Sequence, residues 1–166
     1  MAEDPRGDSP VEMEVRALVM DPVSKMPVVI LHQQKESLFL PIWIGVCEAN
    51  AIALELEGIK TPRPMTHDLI ASLVVATGLR VDRIHIHSLT DNVFLATIHL
   101  TDDKGRVFEV DSRPSDALAV ALRAKAKILV NPQVLHQAMM EEAGQDETLK
   151  MLLEKLRPED LGEYEM

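Results

Sequence analysis

The sequence predicts an α+β domain, with mixed or antiparallel sheet packed against helices in a single compact unit. Two observations predict it. Period-two stretches come in runs of three, over residues 11–45 and again over 80–112, with helical stretches between and after them. A chain of 166 residues with 46% hydrophobic content is also enough for one core, built from Val, Ile, Leu, Ala and Met because aromatics make up only 3%.

Residues 1–10, MAEDPRGDSP, are polar and read as a disordered lead-in. In VEMEVRALVM (11–20), Val11, Met13, Val15, Ala17 and Val19 alternate with Glu12, Glu14 and Arg16, the pattern of a half-buried strand. Turn residues at 21–25 lead into a second strand, PVVILHQQ, and SLFLPIWIG supplies a third, where Pro41 marks an edge or a bulge. In GVCEANAIALELEG, Ala49, Ile52, Ala53 and Leu56 recur at helical spacing until Gly58. Thr66 is the expected N-cap of a helix over 67–76 that Gly78 ends. Residues 80–90 and 93–103 form a hairpin across Asp91-Asn92, and 106–112 add a strand after Lys104-Gly105. Pro114 and Ser115 open the next helix, followed by a short strand at 128–130, a helix at 132–140 and a charged helix around 148–156. The domain is expected to span 11–140, with an acidic helix and tail over 141–166.

The net charge of −10 is uneven. Residues 1–14 hold five acids and one base, and 141–166 hold nine acids and three bases, which leaves 13 of each sign between them. The body is neutral, so nucleic acid is not excluded as a partner, but no broad basic face attracts it. No stretch approaches the roughly 18–20 apolar residues needed to span a bilayer. The first ten residues lack the basic start and apolar middle of a secretory signal, and the single Cys47 forms no intrachain disulfide. The expectation is a cytoplasmic protein without a membrane span.

Two segments echo each other: Arg63-Pro64-Met65-Thr66-His67-Asp68 and Arg113-Pro114-Ser115-Asp116. Pro in a first turn, a hydroxyl for capping and an Asp against the positive helix end are ordinary helix-start residues. The arginines are not explained this way, since a cation at a helix N-terminus is unfavourable unless an acid offsets it. Beside free N–H groups an arginine is an anion receptor. His67 transfers protons near neutral pH. Glu48, Asp68, Asp111 and Asp116 are carboxylates of the kind that hold a divalent cation if the fold gathers them.

The blocks LPIWIGVCEANAIALELEG, PRPMTHDL and VDSRPSDALAVALRA resemble, in order and spacing, the three signature blocks of the bifunctional nuclease domain family, over roughly residues 11–140. The resemblance implies a compact α+β domain, often dimeric, with plant relatives described as nucleases on RNA and single-stranded DNA. It marks Glu48 and Ala49 in the first block, Arg63, Pro64, Thr66, His67 and Asp68 in the second, and Asp111, Arg113, Pro114, Ser115 and Asp116 in the third. The expected chemistry is metal-assisted phosphodiester hydrolysis of RNA or single-stranded DNA. In it Arg63 and Arg113 hold phosphate, and His67 is the acid or base. Asp68 and Asp116 take part in catalysis and, with Glu48 and Asp111, bind Mg or Mn. The competing expectation is a non-catalytic dimeric binding or regulatory protein whose Arg–Asp motifs are structural ion pairs. The tail does not clearly match the interaction module of the plant relatives, and a protein partner for it is a separate expectation.

Three histidines, His85, His87 and His99, are spaced for a zinc site, but the alternating Ile84 and Ile86 place them more simply on a solvent-facing side. Trp43 reads as core or dimer interface, and Cys47, at a helix start, as a small buried residue. The chain carries no Walker-type loop, GxGxxG, HExxH or CxxC pair.

Overall fold

The computed structural model describes residues 9–142 except 34, 36 and 37. The expectations for 1–8 and for the segment after 142 lie outside the described residues.

The α+β expectation holds. Strands β1 (Val11–Met20), β2 (Pro27–Gln33) and β3 (Leu38–Trp43) precede helices α1 (Val46–Leu56) and α2 (Thr66–Ala76). Strands β4 (Arg80–Thr90), β5 (Val93–Thr101) and β6 (Val107–Ser112) follow, then α3 (Pro114–Ala124), β7 (Lys127–Val130) and α4 (Pro132–Glu142). The strands form one seven-stranded sheet in the order β3-β2-β1-β7-β4-β5-β6. All described pairings are antiparallel except β4 with β7, whose strand arrives through α3 and so runs parallel to β4. Pro41 lies in β3, at one edge of the sheet, where a missing N–H costs least.

Local chemistry fixes the corners. Asp91 and Asn92 both take left-handed φ values, 51° and 60°, which a two-residue hairpin requires and short polar side chains tolerate. Gly58 and Gly78 carry φ of +66° and +77° just past α1 and α2, where a side chain would be strained.

Helix α3 is the hub. Ala117, Leu118, Ala119, Val120 and Ala121 are all at most 1% exposed, and the three alanines let neighbouring elements approach closely. The helix packs on β4 and β5, with α1 and α2 against it. That arrangement brings the starts of α1, α2 and α3, which come from three distant blocks of sequence, around one groove.

The structure corrects four local expectations. Thr66 and Ser115 are not caps: α2 begins one residue and α3 two residues earlier than that role requires, with Met65 and Arg113 at the N-cap positions and no side-chain cap bond. At α2, Asp68 Oδ2 reaches back to accept from the Met65 N–H at 2.9 Å. Cys47 is exposed, in the first turn of α1. Trp43 is also exposed, not core, and its indole Nε1 donates to Asp21 at 3.1 Å. The histidine face is not fully solvent-facing: His99 is buried, and His85 and His87 are half-buried. Asn131 ties this face down, bonding His85 at 2.7 Å and the His87 carbonyl at 2.8 Å. No helix among the described residues is long and apolar enough to cross a membrane.

Candidate active site

An open groove of about 1000 Å³ lies between α2 and β6. Its apolar floor includes Ile70, Ile98 and Val120, and its charged end is formed by Glu48, His67, Arg113 and Asp116.

Each charged group arrives by a simple local rule. Gly45 precedes α1 and lets the Glu48 side chain fold back over it, into space that a Cβ would occupy. Pro114 at the first position of α3 places Arg113 at the N-cap, one turn before Asp116. His67 sits in the first turn of α2, the only buried residue of that helix.

The result is a chain of four side chains from three helix starts. Arg113 Nη2 donates to Glu48 Oε1 at 2.6 Å, and Arg113 Nε donates to Asp116 Oδ2 at 2.8 Å. The other Asp116 oxygen, Oδ1, lies 2.9 Å from His67 Nε2. An ionised Asp116 only accepts, so Nε2 carries the proton and Nδ1 of a neutral ring is left to take one. Burial pushes the Asp116 carboxyl up, but the bonds from Arg113 and His67 outweigh it and hold Asp116 below the usual carboxylate value. Hydrogen bonds to Asp116 and then Glu48 push the Arg113 guanidinium up, so it stays charged at any working pH. The Arg113 side chain is nevertheless 66% exposed, and its Nη1 has no partner among the described residues.

Asp68 and Arg63 are placed elsewhere. Asp68 Oδ1 accepts from Arg123 Nε at 2.6 Å. The same guanidinium donates to the Ala119 carbonyl at 2.9 Å and the Ala51 carbonyl at 3.0 Å, and its side chain is only 7% exposed. The Met65 N–H and then Arg123 hold the Asp68 carboxyl below its ordinary value. Arg63 is exposed, makes no ion pair among the described residues and does not line the groove, although Met65 two residues on does. Asp111 is exposed and borders the groove, but its register partner is Thr97, on the sheet face opposite Ile98 and Val110. The two Arg-Pro segments are therefore not equivalent: one builds the groove, while the other contributes His67 to it and leaves its arginine outside.

Among the described residues, no three His, Cys, Asp or Glu side chains stand close enough to hold a metal ion. Glu48 and Asp116 share Arg113, Asp68 is matched by Arg123, and Asp111 starts from the other sheet face. The four expected metal ligands do not form a metal site as they stand.

Sequence reasoning missed Arg123. The signal was present: it lies seven residues, two helical turns, after Asp116, hence on nearly the same face of α3.

An α+β domain that gathers an imidazole, two carboxylates and an exposed guanidinium at one end of an open groove has the layout of a hydrolytic or anion-binding protein. Comparison with known proteins narrows this. The bifunctional nuclease domain profile matches residues 29–143. An uncharacterized protein of Mycobacterium tuberculosis is 39% identical over 127 residues, covering 76% of this chain and 75% of that one. Bifunctional nuclease 1 of Oryza sativa subsp. japonica is 22% identical over 111 residues, and bifunctional nuclease 2 of Arabidopsis thaliana 24% over 106. The chain spans 34% and 32% of these two plant proteins. This chain belongs to the bifunctional nuclease domain family.

Proposed function

We propose that the chain hydrolyses phosphodiester bonds of RNA or single-stranded DNA in the groove between α2 and β6. The observation that carries the reading is the linked set His67–Asp116–Arg113–Glu48, in which a proton-transferring ring is held by a carboxylate beside a guanidinium with one free, exposed edge. His67 acts as acid or base, and Asp116 orients it. Arg113 contacts phosphate through Nη1, while Glu48 keeps the guanidinium in place. Arg63, exposed before α2, meets a neighbouring phosphate of the same strand. Asp68 supports the site through α2, and Asp111 lies at its border. Mg or Mn belongs to the family-based expectation, but these carboxylates do not converge on a metal position, and no step here depends on one. The reading also takes the protein as a cytoplasmic homodimer, with residues 11–140 as the working unit and the acidic 141–166 segment open to a protein partner.

The test is cleavage of end-labelled single-stranded RNA and DNA by the purified chain, with Mg²⁺, with Mn²⁺ and with chelator. Wild type shortens the substrate, and His67→Ala slows this by about 10²–10⁴-fold. Equal cleavage by the two proteins removes His67 from the mechanism. No cleavage of either substrate under any condition removes the nuclease reading.

A second reading has its own observation. Arg123 is buried, paired with the half-buried Asp68 and tied to two backbone carbonyls, as a structural lock would be, which favours a non-catalytic dimeric binding or regulatory protein. Tight binding of single strands without cleavage is the outcome that selects it.

A further inference from the structure

Asp116 holds two groups at once. One of its oxygens lies 2.9 Å from His67 Nε2, and the other accepts from Arg113 Nε at 2.8 Å. The imidazole and the guanidinium therefore stand side by side and meet a bound phosphate from the same end of the groove. His67 is the only imidazole among the described residues that line it, and beyond the charged end the lining turns apolar, with Ile70, Ile98 and Val120. Asp111 also borders the groove but starts from the other sheet face. His67 itself is anchored on one edge and open on the other. Its side chain is only 10% exposed, with Nε2 committed to Asp116. Nδ1 makes no hydrogen bond among the described residues, yet unlike His99 Nε2 it is not sealed from solvent. With the proton on Nε2, the lone pair of Nδ1 faces the groove.

We infer that His67 is a nucleophile: Nδ1 attacks phosphorus, and cleavage passes through a phosphoryl group bonded to that nitrogen. A single displacement by water has its entering and leaving oxygens in line through phosphorus, so it needs a base on one side and an acid or cation on the other. Here the imidazole and the free guanidinium edge stand on one side. Covalent catalysis suits such a site, because attack and release both occur where the nucleophile is. In the first step the Nδ1–P bond forms and the P–O bond to one fragment of the strand breaks. The departing alkoxide takes a proton from a groove water, which becomes hydroxide, while the other fragment stays on phosphorus. The ring is now a cation, and its Nε2–H still donates to Asp116, which stabilises that charge. In the second step the hydroxide attacks phosphorus and the Nδ1–P electron pair returns to the ring. Neutral His67 and a phosphomonoester end are the products. Arg113 Nη1 holds a non-bridging oxygen in both steps. No 2′-hydroxyl takes part, so one route serves RNA and single-stranded DNA alike. The inference rests on the nuclease reading and replaces a general acid or base with a covalent step.

The experiment uses the full chain and single-stranded DNA, in whichever of Mg²⁺, Mn²⁺ and chelator supports cleavage. A short strand carrying one phosphorothioate linkage of a single configuration is hydrolysed in oxygen-labelled water, and the configuration of the thiophosphate product is read. Two displacements retain it, whereas one inverts it. In parallel, a strand with radioactive backbone phosphorus is mixed with the protein and quenched in alkali. Label is expected on the peptide that holds His67, kept in alkali and lost in mild acid, as a P–N bond behaves. His67→Ala, checked for its fold by circular dichroism, is expected to lose both label and cleavage, and His67→Gln takes its place if the alanine variant does not fold. Inversion at phosphorus overturns the inference and leaves a nuclease in which His67 is an acid or base. Retention with the label on another groove residue, such as the exposed Cys47, overturns the assignment to His67. No cleavage under any condition overturns the nuclease reading and this one together.

Discussion

Helix α3 carries an arginine at each end, and the two do opposite things. Arg113, at the N-cap, bridges Glu48 and Asp116 with most of its side chain in water. Arg123, in the last turn, is almost fully buried and bonds Asp68 and two carbonyls. The helix dipole favours the second cation and opposes the first. Arg123 therefore works for the helix that holds it, whereas Arg113 occupies an unfavourable position and needs two carboxylates to offset it. The contrast separates a structural tie from a candidate reactive group, although both are Arg–Asp pairs and the distinction is one of exposure and helix polarity.

Substitution at the buried tie carries the largest expected effect on stability. Arg123→Ala strips Asp68 of its cation and removes the guanidinium that joins α3 to the Ala51 carbonyl of α1, at a cost of roughly 3 kcal/mol. A thermal melt should show Tm roughly 10 °C lower, and a Tm within a degree or two of wild type contradicts the assignment of Arg123 as a tie.

Acid comes next, and it acts on both ends of α3. The folded pKa values of Asp68 and Asp116 lie below the unfolded 3.8, so their stabilisation is present above that value and is lost as pH falls through the folded values. Burial, before any neighbouring charge, likewise depresses His85 and His99 below 6.5. The unfolded chain then takes up protons first, and stability declines as pH drops below about 6.5. Melting should be level between about pH 7 and 8, lower by pH 5, and lower again below about pH 4. His99→Gln should flatten the upper decline, and a Tm that rises on acidification contradicts the sign.

The smallest effect is expected at Gly45. A Cβ there meets the Glu48 carboxylate and displaces it from Arg113. Because the Arg113 side of the pair is largely in water, Gly45→Ala should move Tm by no more than about 2 °C. In the cleavage assay it should lower the rate, by less than about 10-fold. An activity loss as large as that of His67→Ala would make Glu48 more than a brace.

Most of the fold was legible in the sequence, because period-two alternation, helical spacing and turn residues such as Asp91-Asn92 and Gly58 are local signals. The site was legible in part. His67, Arg113, Asp116 and Glu48 were all expected at a site, and they do meet. Their partition was not readable, because it depends on which face of α3 each neighbour meets. Asp68 was assigned with Asp116, yet it turns to Arg123. Arg63 was paired with Arg113 on the strength of the repeated Arg-Pro, yet only one of the two lines the groove. Exposure is less legible: Cys47, at a helix start, reads as a small buried residue and is open to solvent, while His99, on an alternating strand, reads as a surface residue and is buried.

The division of labour between the two arginines is tested most directly at Arg113. Arg113→Ala should melt within about 2 °C of wild type while its kcat/KM on labelled single-stranded RNA falls about 10²-fold or more. Unchanged cleavage by a fully folded Arg113→Ala protein would contradict the account, because it would leave the exposed arginine as structural as the buried one.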